Sequence, residues 1–535
     1  MKEIIAYHDR TKHGILRLAP SAGYLDRANQ PLPFRFYEGA PGLDLPLGLP
    51  DPDEHHLALY RRSSNLQTCG LSNLSKFLEL SLGLSAWKEL QGNRWSLRMN
   101  PSSGNLHPTE CHLILPGSEG LDSGLYHYSP FGHSLERRAA LGDGTGKILE
   151  EHFGGEGFLL GLTSIFWRES WKYGERAYRY CNHDTGHALA CLSFSAALLG
   201  WKVRWLGNPG DSEIAALLGL DRTGFPDYED ERADLLCFVA AGKLNASVPG
   251  GVPVELADQL RNVELAGTPN RLSREHREWK IIGHVAQTAS KPSTEYPETA
   301  FGSPPLLEKS VSALKAAEII RRRRSVWEFS MEQSFAGRNE FLSILDRTVP
   351  RSGMAPFDCG LGPARVQLVL FVHDVSGLEQ GLYAFLRDES CREELEDSFS
   401  AEFAWERADG ALPLYVLRTG DYRNQSMTLS CNQQIAGFGT FAVAMVARFR
   451  ETLEEAPWAY PQLFRECGQV GQALYLEAEA QGLRGTGIGC YFDDPVHELL
   501  GIQDNRWQSL YHFTVGAPIE DARLQSYPPY FHLKR

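Results

Sequence analysis

The sequence predicts an α+β protein built from two copies of one domain. Three observations carry that prediction: a length beyond the reach of a single core, landmarks that recur in the same order, and short apolar runs mixed with longer segments apolar on every face. At 535 residues the chain exceeds the size at which one hydrophobic core usually stops growing, so two domains are expected.

The repetition is explicit. YRRSSN, beginning at Tyr60, is matched by RRRRSVWEF, beginning at Arg321. Arg98-x-x-Pro101-Ser102-Ser103-Gly104 is echoed by Arg347-x-x-Pro350-Arg351-Ser352-Gly353, and Gly124-Leu125-Tyr126-His127-Tyr128 by Gly381-Leu382-Tyr383-Ala384-Phe385. Asp184-Thr185-Gly186-His187 is expected to open a helix, and Glu466-Cys467-Gly468-Gln469 its counterpart. From Gly186 to Gly219 in LLGL is 33 residues, and from Gly468 to Gly501 in LLGI is again 33. The copies are placed at 1–243 and 306–535. The Pro/Gly/Ser-rich stretch 244–305 reads as a linker with room for one short helix around Val254–Leu265.

Within the copies, CHLILP, FLLGLTSIF, LLCFVAAG, VQLVLFVH, LPLYVLRT and YHFTVGA have the length and composition of buried strands. Residues 187–199 and 435–449 are apolar on nearly every side, which predicts two helices buried all round at an interface between the copies.

Composition narrows the function. A net charge of −14 argues against a nucleic-acid-binding surface over the whole chain. The start lacks a signal-peptide core, and no stretch approaches the ~20 apolar residues of a membrane span, so no membrane partner is expected. Ten cysteines without a C-x-x-C pair disfavour zinc and fit a reducing cytoplasm; no metal site is expected. Gly142, Gly144 and Gly146 before Lys147 do not make a P-loop, because Leu141 and Ile148 stand where glycine and Ser/Thr are needed. His55 and His56, in the polar lead-in DPDEHH, are expected in solvent.

Three groups of residues carry chemistry. Arg323, Arg324 and Ser325 follow a stretch with Val311, Leu314, Ala317 and Ile320 on one helical face, and combine guanidinium charge with a hydroxyl, as a phosphate requires. Taken alone they also read as a solvated arginine run at a helix end. Pro101-Ser102-Ser103-Gly104-Asn105-Leu106-His107-Pro108 is a tight polar turn whose serines, Asn105 and His107 can hydrogen-bond a heterocycle, or simply precede a strand. Gly485-Thr486-Gly487-Ile488-Gly489-Cys490 lets backbone N–H groups come close to a flat ring, or forms a helix end running into a strand. A backbone lying against a flat ring is the expected role there, ahead of a reactive Cys490 thiol, and helix capping is the expected role of Asp184.

Together, a basic R-R-S near a domain start, a P-S-x-x-N-x-x-P turn and a late G-x-G segment resemble the nitroreductase superfamily. The phrase Trp171-Lys172-Tyr173-Gly174-Glu175-Arg176, followed by Asp184-x-Gly186-His187, resembles its SagB-type, thiazoline-oxidase-like branch. The resemblance implies two fused FMN-dependent domains forming an intrachain pseudo-dimer, monomeric as a chain. It implies FMN held by Arg323, Arg324, Ser325, Gly487, Ile488, Gly489, Cys490 and Arg523 from the second copy and by Pro101, Ser102, Ser103, Asn105 and His107 from the first. It assigns Lys172 and Tyr173 to catalysis on a small or peptidic substrate. The reciprocal site is eroded: Arg61, Arg62 and Ser63 face PRSGMAPFD, where Met354 replaces the asparagine, and the late loop carries bulky Trp205, so one flavin per chain is expected. Trp327 stands where the family often adds an arginine. The alternatives are a reductase passing electrons from NAD(P)H to a nitro or quinone acceptor, and a non-catalytic flavin- or peptide-binding scaffold.

Overall fold

The structure, a computed structural model, describes all residues except 119, 245–247, 297–301, 303 and 534–535. Each copy builds one seven-stranded antiparallel sheet. The first contains β1 (Gly42–Asp44), β2 (Thr109–Leu115), β3 (Gly124–Ser129), β4 (Ser134–Ala140), β5 (Gly157–Ser164), β6 (Lys202–Trp205) and β7 (Arg232–Ala240), in the order β1-β4-β3-β2-β5-β7-β6. The second contains β8 (Val366–Val372), β9 (Gly381–Phe385), β10 (Glu406–Arg407), β11 (Leu414–Thr419), β12 (Phe441–Arg448), β13 (Arg484–Ile488) and β14 (Trp507–Gly516), in the order β10-β11-β9-β8-β12-β14-β13. The two orders match strand for strand, except that β1 arrives from the N-terminal lead-in whereas β10 pairs with the strand that follows it. All six apolar runs read from sequence lie in these sheets.

The helices that matter for the site are α1 (Phe166–Tyr173), α2 (Ala177–Leu198), α3 (Asp211–Leu217), α4 (Lys280–Thr288), α5 (Ala316–Arg322), α6 (Tyr460–Ala480) and α7 (Asp493–Leu500). Every residue of α2 and α6 is buried. They cross each other, and one hydrophobic core joins Ala190, Phe194 and Ala197 of α2 to Val470, Ala473 and Leu474 of α6. The two halves therefore share a core as a dimer would, inside one chain. They also interleave at the surface: the hairpin Leu84–Leu90/Asn93–Arg98 takes Gln525–Tyr527 as its third strand. Among the described residues no helix is long and apolar enough to cross a membrane, and no His/Cys/Asp/Glu cluster could hold a metal.

The structure departs from the sequence expectations at defined points. Residues 435–449 are not one buried helix but a single turn, Ile435–Phe438, followed by the central strand β12. Phe441, Val443 and Met445 face the shared core while Ala442, Ala444 and Val446 face a second core, and a strand buried on both faces has the same continuous apolar sequence as a buried helix. Asp184 and Glu466 do not open helices; α2 and α6 begin at Ala177 and Tyr460, leaving both carboxylates mid-helix. His56 is fully buried, its Nε2 2.8 Å from Glu477. The helix before the arginine run is only α5, so Val311 lies outside it, half exposed. The stretch read as a linker holds two helices, Val254–Asn262 and α4.

Candidate active site

Most of the sequence-selected residues converge where the halves meet. The turn 101–107 has three left-handed residues in four, Gly104 (φ 61°), Asn105 (φ 59°) and His107 (φ 52°), a conformation that must be held by its surroundings. Asp184 holds it from below: its carboxylate accepts from Ser103 N at 3.1 and 3.2 Å and from Ser103 Oγ at 3.0 Å. Ser102 Oγ accepts from His107 N at 2.8 Å, and Asn105 Nδ2 donates to Ser96 O at 2.9 Å. His107 Nε2 meets Asn105 Oδ1 at 2.9 Å, so both side chains are engaged in shaping the turn. Burial pushes the Asp184 carboxyl up to about 7, against the pull of the Ser102 and Ser103 hydrogen bonds.

Lys172 and Tyr173, at the end of α1, touch this turn. A Cβ at Gly104 would lie 2.6 Å from Tyr173 Oη and 2.8 Å from Lys172 Nζ, so only glycine lets the turn and this pair approach so closely. The Lys172 ammonium sits 4.9 Å from the Tyr173 ring centre. Burial lowers the Lys172 pKa, opposed by the nearby Glu169 carboxylate, and raises that of Tyr173 well above the usual phenol range. Glu169, three residues before Lys172, was missed in the sequence. It is fully buried, neither carboxylate oxygen has a hydrogen-bond partner of good geometry, and desolvation raises its pKa well above normal.

The arginine run reaches the same place from the other half. Arg323 Nη2 donates to Arg98 O at 3.0 Å, three residues before the turn, while its Nε is buried without a partner. Arg324 donates to the carbonyls of Arg321, Arg323 and Ser85. Among the described residues neither guanidinium pairs with a carboxylate, although Arg321 binds Asp51 and Glu79, and Arg322 binds Glu318 and Glu479. Burial, with Arg323 alongside, pulls Arg324 down to about 10, as expected of a cation lacking a counter-ion. Ser325 Oγ lies 2.7 Å from Tyr475 Oη, which also accepts from Gly487 N at 2.9 Å. Thr486 ties strand β13 to Val326 through both backbone groups.

Two further segments selected from the sequence carry contacts of their own. The glycines of 485–489 lie on or just beyond an edge strand, and aromatic packing explains their lack of side chains. A Cβ at Gly485, Gly487 or Gly489 would collide with Phe513 (2.5 Å), Tyr511 Oη (1.9 Å) or Tyr180 (2.2 Å). Arg523 does not join the site: its side chain is 78% exposed and pairs with Asp521.

Cys490 ends this segment. Its thiol faces Cys431 and His13, and these two neighbours favour the thiolate at Cys490, lowering its pKa while that of Cys431 is raised. We expect Cys490 to alkylate with iodoacetamide almost as fast at pH 6.5 as at pH 8.5, whereas an ordinary thiol slows about tenfold per pH unit below its pKa. Peptide mapping of the labelled cysteine against a Cys490→Ser control reads this. A rate following the ordinary thiol slope refutes the thiolate.

The reciprocal position is occupied by the protein itself. Arg61 is paired with Glu308, Arg62 with Asp358 at 3.2 Å, and Ser63 donates to Glu54. Tyr296 lies between Trp205 and Trp458 (ring centres 4.8 and 6.0 Å), and a Cβ at Gly207 would strike it at 2.7 Å.

Duplicated antiparallel sheets around two crossed central helices, with a polar turn and an arginine pair meeting between the halves, define a two-domain α+β architecture with its candidate site at the junction. The chain belongs to the nitroreductase family of oxidoreductases, whose family description matches residues 73–243 and 320–517, one segment in each half. A nitroreductase homologue of Methanocaldococcus jannaschii is 26% identical over 197 residues, 33% of this chain and 91% of its own. The crystal structure of a nitroreductase homologue from Anabaena variabilis shares the fold over 97% of this chain and 99% of its own, with TM-score 0.69 and 23% identity.

Proposed function

We propose that this protein is an FMN-dependent dehydrogenase of the SagB-like kind, holding one FMN per chain between its halves. The observation that carries the reading is the pair Arg323 and Arg324, buried or half-buried with no carboxylate, beside the turn at 101–107. A phosphomonoester of about two negative charges suits that pair and the Ser325 hydroxyl. The orphaned Arg323 Nε is the donor such an anion would satisfy. When bound, FMN supplies a two-electron hydride acceptor at its N5.

The chain's own residues handle position and protons. Asp184 fixes the turn, and Arg323 ties it to the opposite half. Lys172, its proton weakened by burial, takes the proton from the substrate carbon next to the one that gives up hydride, so that a double bond forms between the two. Tyr173, kept as a phenol by burial, stands beside it as the group that relays that proton. Glu169 tempers the lysine from three residues away.

Anaerobic titration of the purified protein tests the reading. A yellow protein with one FMN per chain, bleached by a thiazoline-containing peptide and inert to NADH, supports it. Bleaching by NADH alone points to a nitro or quinone reductase, and a colourless protein that rejects added FMN points to a scaffold. Lys172→Ala should keep its flavin and lose about 100-fold or more in turnover. Because Lys172 acts deprotonated and its pKa is lowered, wild-type turnover should rise with pH through an inflection below the ordinary lysine range. An unchanged rate in Lys172→Ala removes its catalytic role.

A further inference from the structure

A cleft of about 600 Å³ lies between the two halves, and none of the residues of the turn or the arginine pair lines it. It is lined by Phe166, Tyr178, Trp205, Asp211, Trp458 and Gln462, among others. The duplication explains how it opened. Aligning Gly186 with Gly468 sets Arg176 and Arg179 of the first copy against Trp458 and Pro461 of the second, and Asp493 at the start of α7 against Asp211 at the start of α3.

In one half that aspartate is neutralised: Asp493 accepts from Arg176 Nη1 at 3.0 Å, Arg179 Nη1 at 2.8 Å and His13 N at 2.9 Å, and the two arginines fill the space. In the other half both arginines are gone. Asp211 accepts from Lys291 N at 3.0 Å, and among the described residues no lysine or arginine side chain pairs with it. The cations nearby are already engaged. Arg465 binds Asp234 and Asn182, and the Lys291 ammonium donates to Asn208 O, Pro209 O, Pro292 O and Thr294 Oγ1. Gln462, 5% exposed, leaves its Oε1 acceptor without a partner. What remains is thus a carboxylate without a charged partner and an unpartnered acceptor, in a cleft walled by the rings of Phe166, Tyr178 and Trp205, while the Trp458 ring already carries the Lys291 ammonium at 4.9 Å; that lining favours a cation with an apolar body.

We propose that this cleft is a binding site for a small organic cation, a protonated amine or guanidinium on an aromatic or alkyl body, with Asp211 as its counter-ion. The site stands apart from the flavin reading and survives its failure.

Calorimetric titration of the full chain as purified, with benzylammonium as the probe and benzoate as its anionic shape control, tests it. We expect saturable one-to-one binding of benzylammonium, none of benzoate, and an unchanged visible spectrum. Asp211→Asn should weaken binding by about tenfold or more. Trp458→Arg, which restores the residue of the other half, should abolish it by refilling the cleft and pairing with Asp211. Arg323→Ala should leave it intact. The proposal is overturned by no saturable binding of benzylammonium, by equal binding of benzoate, by wild-type affinity in both cleft variants, or by loss of binding in Arg323→Ala.

Discussion

Replacing Gly186 by alanine is expected to destabilise the protein strongly, although alanine is the better helix former. In a helix interior the change should add about 1 kcal/mol through propensity alone. At this position packing opposes it. A Cβ at Gly186 would lie 2.0 Å from the carbonyl oxygen of Arg465 and 2.7 Å from its Cα; one at Gly468 would lie 2.2 Å from His183 O. These are backbone atoms, which no rotamer change can move, so α2 and α6 would have to separate along a contact buried throughout both helices. Overpacking of this kind costs about 3 kcal/mol or more, which is about 6–12 °C of melting temperature at this domain size. Gly283→Ala is the control, because a Cβ there meets nothing within 4 Å and the helix α4 is exposed at that position. Thermal melts should move in opposite directions for the two variants. If Gly186→Ala melts at or above the wild type, the two halves are not held at the glycine crossing.

That crossing also shows what sequence reading could reach. The repeat was legible because Gly186 and Gly468 each precede a second glycine by the same interval, and the glycines are retained where two backbones touch. The sheet strands were legible because their apolar runs are bounded and short. Residues 435–449 misled because β12 is buried on both faces, which erases the period that separates strand from helix. Asp184 looked like a helix cap because local pattern says nothing of the turn, 81 residues earlier, that its carboxylate holds. His56 looked solvated because its partner, Glu477, is 421 residues away. Glu169 did leave a signal, its three-residue spacing from Lys172 on one helix, but only burial shows why that spacing matters. The asymmetry of the two arginine runs could be suspected from the eroded turn at Pro350. The ion pairs that distinguish them lie between segments remote in sequence.

Those ion pairs set the sharpest consequence of the proposed cofactor site. Arg323→Ala and Arg324→Ala should each lose most of their FMN on dialysis, while Arg61→Ala and Arg62→Ala should retain the wild-type content. All four arginines belong to matching R-R-S phrases, so residue type does not separate them; their partners do. Arg61 and Arg62 are already neutralised by Glu308 and Asp358, and a phosphate arriving there would have to displace a carboxylate. Arg323 and Arg324 hold only carbonyl oxygens, so an anion gains two uncompensated guanidiniums at once. A hydrogen bond to a charged group contributes about 1.5–3 kcal/mol, or about 10- to 100-fold in affinity for each arginine. Asn105→Ala should also lower occupancy, but through the turn, because its amide bridges Ser96 O and His107. Flavin absorbance per chain after exhaustive dialysis measures all five variants. Equal losses at Arg61 and Arg323 would mean two equivalent cradles. No loss at Arg323 or Arg324 would leave the anion grip without a ligand and remove the basis for placing FMN between the halves.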